Sequence, residues 1–120
     1  MDCIFCKIIK GEIPSYTIYE DDDIKVFLDI NPNSNGHMLI IPKTHTLDFD
    51  SIENDTLNKV MNVAHKMKKL VEDKLNPQGI TFVQNNGCAQ EVKHYHLHLI
   101  PVYDSKEKKP VEEIFNILKK

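Results

Sequence analysis

The segment His94-Tyr95-His96-Leu97-His98-Leu99-Ile100-Pro101 alternates imidazoles with large apolar or aromatic side chains. A period of two belongs to a β-strand, so His94 to Val102 is predicted as one strand. Its three histidines then share one face. Leu97 and Leu99 point to the other, where they need an apolar partner. Three imidazoles fill a core poorly, because each brings a polar nitrogen that must be satisfied when buried.

The partner is found upstream. Leu57, Val60, Met61, Ala64, Met67, Val71 and Leu75 recur at spacings of three and four, which predicts an amphipathic helix over Asp55 to Leu75. Asn54 or Asp55 caps its start, and Asn76-Pro77 ends it. His65 falls on the polar face. Further short strands are predicted at Thr17–Glu20, Ile24–Leu28, His37–Ile41 and Gly79–Gln84, separated by turn-forming Asp21-Asp22-Asp23, Asn31-Pro32-Asn33-Ser34-Asn35-Gly36 and Asn85-Asn86-Gly87. A final helix over Val111 to Leu118 carries Val111, Ile114, Phe115 and Leu118 on one side. Runs of strands with few helices between them point to an antiparallel α+β fold.

The chain has 120 residues, enough for one domain spanning all of them. A net charge of −3 with interspersed signs argues against a nucleic-acid partner. Asp2 and Lys7 interrupt the short apolar N-terminus, so no signal peptide is expected. No apolar run approaches the roughly 20 residues of a membrane helix. A soluble cytoplasmic protein with no membrane partner is the expectation. Three cysteines do not make a disulfide framework. Cys3-x-x-Cys6 is compatible with metal, redox chemistry or coincidence, and Cys88 reads as a loop thiol.

The alternating histidines leave two chemistries open. Neutral imidazoles ligate metals. One imidazole can instead act as a nucleophile near neutral pH, with its neighbours orienting it and contacting phosphate.

The sequence around them resembles the histidine triad (HIT) family, whose motif is His-φ-His-φ-His-φ-φ with φ apolar. Gln90 to Pro101 carries that motif. Cys3-Ile4-Phe5-Cys6-Lys7-Ile8-Ile9 with Gly11-Glu12-Ile13-Pro14 is similar to the N-terminus of the Hint branch. Phe27 to Pro32 and Gly36 to His45 are similar to its central nucleotide-binding region. The resemblance implies a five-stranded antiparallel sheet with one long and one shorter helix, and a homodimer in which two sheets join. It implies hydrolysis of AMP-linked phosphoramidates or other adenylates through a nucleotidyl-histidine. His96 is then the nucleophile, His98 a phosphate contact and His94 an organiser of its neighbours. Asp29 accepts from ribose hydroxyls, and Asn85 and Gln90 reach phosphate or ribose. Phe5, Ile8, Phe27 and Ile30 wall the base, and His37 stands beside the triad. Asp29 is otherwise readable as a turn residue and His37 as a structural histidine; Phe5, Ile8 and Phe27 are also readable as ordinary core, which is compatible with base contact.

Two departures from the family pattern stand out. Only Cys88 and Ala89 separate Asn85-Asn86-Gly87 from Gln90, and Glu91 stands where Hint-type proteins often carry serine. A carboxylate cannot donate to phosphate and repels it. The resemblance further implies a structural zinc held by Cys3, Cys6, His45 and His94; no organic cofactor is called for. Two competing functions are a dinucleoside polyphosphate hydrolase of the Fhit branch and a nucleotide-binding interaction module with negligible turnover.

Overall fold

A computed structural model describes residues 3–120. Asp2, which entered the signal-peptide argument, lies outside them. The strands are β1 (Thr17–Glu20), β2 (Ile24–Leu28), β3 (Met38–Pro42), β4 (Gly79–Val83) and β5 (Leu97–Val102), and the helices are α1 (Ile4–Ile9), α2 (Asn54–Leu75) and α3 (Val111–Leu118). A short 3-10 turn covers Gly87–Ala89. The five strands form one antiparallel sheet in the order β1-β2-β3-β5-β4.

β2 and β3 are central and fully buried because both faces of the sheet are covered. On one face Val26, Leu28, Met38, Ile40, Tyr95, Leu97 and Leu99 pack with Val60, Val63, Ala64, Met67 and Val71 of α2 and with Ile114 and Leu118 of α3. The intervening residues Phe27, Leu39 and Ile41 face the other way and meet Phe5 and Ile8 of α1 in a second, smaller core. Alternation along each strand thus serves two cores at once. Lys25 shares that second face. It is buried, and its Nζ donates to Ile8 O at 3.3 Å, at the C-terminal end of α1, where a cation is favoured.

The expected architecture holds, with local corrections. A third helix, α1, was not anticipated. Its start is capped by the Cys3 sulfur, which accepts the Cys6 N–H at 3.3 Å. In α2 the buried stripe runs through Val63, while Met61 is 43% exposed. A residue next to Val60 lies about 100° round the helix from it, so Met61 faces water. The N-cap of α2 is Glu53, with no side-chain cap bond, so neither Asn54 nor Asp55 caps it. Asn76 ends the helix in the left-handed conformation, with φ 49°.

The largest correction falls on the histidine strand. β5 begins at Leu97, so His94 and His96 precede it. Tyr95 N–H donates to Thr46 O at 2.6 Å and His94 N–H to Val92 O at 2.9 Å. These bonds divert the backbone from the ladder, although the side chains still alternate. Similarly, His37 is not in β3; its N–H closes a turn on Ser34 O at 3.1 Å. β4 ends at Val83, before Gln84.

The turn before His37 is fastened to the segment after β5. Tyr103 OH donates to Asn35 O at 2.6 Å, and Asn35 Nδ2 donates to Glu107 O at 3.1 Å. Gly36 makes this closeness possible. Its φ is +92°, and a Cβ there would lie 2.6 Å from Leu75 Cδ1. Gly36→Ala is expected to lower the unfolding free energy by about 1–2 kcal/mol from the backbone conformation alone, plus the cost of moving Leu75. Gly87→Ala, also at positive φ but with nothing within 4 Å, is the control. Urea unfolding should show the larger loss for Gly36→Ala; equal losses would dismiss the close approach.

Candidate active site

Four histidines converge on the α1 side of the sheet, and the partner of each fixes its neutral tautomer. A carbonyl can only accept, so a ring nitrogen bonded to one must carry the proton. His94 is fully buried, and its Nε2–H donates to Pro42 O at 2.8 Å. Its Nδ1 is therefore bare. His96 Nδ1–H donates to the main-chain oxygen of His94 at 2.8 Å, which leaves a lone pair on Nε2. His37 Nδ1 accepts the Asn33 N–H at 3.0 Å, so its proton sits on Nε2. That proton is donated to His98 Nδ1 at 2.9 Å, which puts the His98 proton on Nε2. Burial lowers the pKa of all four, so each ring is neutral near pH 7.

His96 and His98 line a cavity of about 580 Å³, within the usual size for a small-molecule site. Phe5, Asp29, Ile30, His37 and Asn85 line it too. The Phe5 ring stands edge-on to His96 at 5.0 Å and to His94 at 5.8 Å. Asp29 Oδ1 accepts the Asn31 N–H at 2.8 Å, while Oδ2 lies 3.6 Å from His37 Nε2. Ile30 is 72% exposed at the rim. Other residues from the sequence reading stand elsewhere. Ile8 and Phe27 lie behind Phe5 in the smaller core. Gln90 is buried, and its Nε2 donates to Leu47 O at 2.6 Å, so its amide holds the neighbouring loop. Sequence reasoning missed Leu39, Val83 and Ile100 as lining residues. Strand register would have found them, since Leu39 and Val83 both pair with His98 and Ile100 lies two residues on.

Chemically, the cavity presents one bare imidazole lone pair and one imidazole N–H. The first is a nucleophile, and the second is a donor suited to an anionic oxygen.

The Cys3, Cys6, His45 and His94 ligand atoms all lie within 4.8 Å of one another. Cys3 Sγ is 3.4 Å and Cys6 Sγ 3.6 Å from His94 Nδ1, and Cys6 Sγ is 3.3 Å from His45 Nδ1. A tetrahedron with metal–sulfur bonds of about 2.3 Å and metal–nitrogen bonds of about 2.0 Å has S···N edges of about 3.5 Å. The bond from His94 Nε2 to Pro42 O points its bare Nδ1 at the cysteines, the outer-shell arrangement of a metal-ligating histidine. The residues fit a structural zinc. Asp29, His37 and His98 also cluster. There the Asn33 N–H holds the His37 proton on Nε2, the atom a metal would need, so this group is a hydrogen-bond chain.

The family model described as HIT domain matches residues 10–105. An uncharacterized HIT-like protein of Methanocaldococcus jannaschii is 48% identical over 106 residues, covering 85% of this chain and 80% of its own. An adenosine 5'-monophosphoramidase of Candida albicans is 44% identical over 108 residues, covering 85% of this chain and 71% of its own. The crystal structure of a Zn-bound histidine triad family protein from Mycobacterium smegmatis superposes with a TM-score of 0.90 at 35% identity, over 99% of this chain and 91% of that one.

Burial, helped by the rings of His96 and His37 and opposed by Asp29, pushes the His98 pKa down to about 4. Unfolded histidine titrates near about 6.5. Between those values the unfolded chain binds a proton that the folded chain does not, so stability falls as pH drops through the window. The urea midpoint of the wild type is expected to fall more steeply from about pH 6.5 to about pH 4 than that of His98→Asn. Equal slopes would clear His98 of the effect.

Proposed function

This chain belongs to the HIT domain family, and on that premise we propose that it hydrolyses AMP-linked phosphoramidates or related adenylates through a nucleotidyl-histidine. The observation that supports this most directly is the pairing, in one cavity, of the His96 Nε2 lone pair with the His98 Nε2–H. His96 Nε2 attacks the α-phosphorus. The P–N bond breaks as the bond to His96 forms, and the amine leaves with a proton drawn from water. The phosphorylated imidazole is cationic, and the His94 carbonyl already accepts its Nδ1–H. His98 Nε2–H donates to a phosphate oxygen. Water then attacks phosphorus, the bond to His96 breaks, and the nucleoside monophosphate departs.

In this reading Asp29 accepts from the ribose hydroxyls and Phe5 contributes to the base wall, with Ile30 at its rim and Ile8 and Phe27 supporting it from behind. Asn85 and His37 complete the polar lining, His37 by holding the His98 tautomer. Gln90, tied to Leu47 O, acts by fixing the loop that borders the cavity. The whole chain serves as one catalytic domain. Two copies pair into a continuous sheet; the free edge of β4, with Phe82 41% exposed, is consistent with that. The enzyme works in the cytoplasm; no helix among the described residues is long and apolar enough to cross a membrane.

The Cys3, Cys6, His45 and His94 set holds a structural zinc. When bound, the metal supplies a cross-link and no reactive step, because four protein ligands leave it no open position. His94 is thereby kept neutral and fixed, with its carbonyl aimed at His96.

His96→Ala is expected to abolish turnover of an adenosine phosphoramidate, measured as AMP release. Retained turnover would sink the nucleotidyl-histidine. Purified protein is expected to carry about one zinc per chain by elemental analysis, and His45→Asn to carry much less and melt earlier. Well under one zinc in the wild type would overturn the metal assignment.

A further inference from the structure

The candidate cavity has a charge balance that is unusual for a phosphate site. Among the described residues no lysine or arginine lines it, and the ionisable acids that do are Asp29 and Glu91. Asp29 is engaged, since it accepts the Asn31 N–H and stands by His37. Glu91 is exposed, and among the described residues its carboxylate has no ion pair. Glu91 belongs also to the wall of an adjoining cavity of about 430 Å³, which it borders with Ile4, Leu47, Val92 and Lys93. Ile4, Glu91 and Val92 are common to both cavities. Lys93, on the wall of the adjoining cavity, forms no ion pair with Glu91: its Nζ donates instead to Gly87 O at 2.8 Å and Gln90 O at 2.9 Å. Glu91 lies close enough to His96 for its charge to favour the protonated ring. A group joined to phosphorus at His96 and extending into the second cavity therefore passes a carboxylate that no ion pair engages among the described residues.

We propose that Glu91 is a specificity-determining residue that rejects polyanionic leaving groups, so that the site accepts a nucleotidyl group joined to a neutral or cationic partner, such as an amine, and refuses one joined to a phosphate chain. The inference rests on the phosphoramidase reading of the same site and adds its substrate filter. Specificity here comes from repulsion of the wrong substrate. A carboxylate raises the cost of each phosphate charge placed within a few ångströms of it, and dissolved salt screens that cost.

The test compares kcat/KM for an adenosine phosphoramidate with a neutral amine leaving group against that for a diadenosine polyphosphate. Glu91→Gln should raise the polyphosphate-to-phosphoramidate ratio on the order of tenfold, and Glu91→Asp should keep the wild-type ratio. Added salt should raise the ratio in the wild type and leave it nearly unchanged in Glu91→Gln. A ratio indifferent to both Glu91→Gln and salt would overturn the filter. Calorimetric affinities for ATP and AMP read the same effect without turnover: Glu91→Gln should improve ATP relative to AMP. If the wild type hydrolyses neither substrate, the phosphoramidase reading fails, and the ATP-to-AMP ratio still decides the role of Glu91.

Discussion

A single buried imidazole, His94, holds three parts of the molecule in register. Its Nε2–H is bound to Pro42 at the end of β3, its Nδ1 faces the Cys3 and Cys6 sulfurs at the start of α1, and its carbonyl accepts the Nδ1–H of His96. A fully buried ring with any of these groups unmet would cost on the order of 1–3 kcal/mol per group. The backbone leaves the ladder from His94 to His96, where Tyr95 N–H goes to Thr46 O and His94 N–H to Val92 O. Removing His94 would therefore unfix the N-terminal helix, the end of a central strand and the tautomer of His96 together.

The sheet makes that arrangement affordable by separating two environments. Its α2 side is a continuous apolar core, where the tyrosines Tyr16, Tyr19 and Tyr95 bring the polar atoms. Its α1 side mixes a small apolar cluster with imidazoles, an amide and a buried lysine. Among the described residues no buried side-chain nitrogen or oxygen lacks a partner. Polar burial is tolerated there because short-range hydrogen bonds satisfy it completely. The same low-dielectric setting keeps the four rings neutral. One neutral ring can then attack while another donates.

The five strands were legible because alternation and turn residues agree at each boundary, and α2 because its stripe runs over many turns. What escaped was local. α1 has only six residues, and its cap is a cysteine sulfur, outside the usual list of capping side chains. The detour at His94 to His96 preserves side-chain alternation, so periodicity alone could not show that the ladder starts at Leu97. Gln90 has the composition of a phosphate contact, and its inward turn depends on the Leu47 carbonyl, far away in sequence. The fixed tautomers follow from backbone groups of Asn33, Pro42 and His94, which carry no side-chain signal. Resemblance to a family could name the reacting residues. The geometry supplied the reason each ring presents the nitrogen it does.

The pairing of Cys3 with His94 spans 91 positions of sequence. During synthesis the two thiols leave the ribosome first, and the ring that completes their group follows only after roughly five to twenty seconds of elongation. Through that interval the cysteines, joined partway by His45, form an incomplete group whose thiols are available to any thiol-binding metal or oxidant nearby. The last of the four to emerge also opens the segment that carries His96 and leads into β5. Assembly of the histidine-lined cavity is thus tied in time to completion of the Cys3, Cys6, His45 and His94 group, and a nascent chain stalled before residue 94 would have neither.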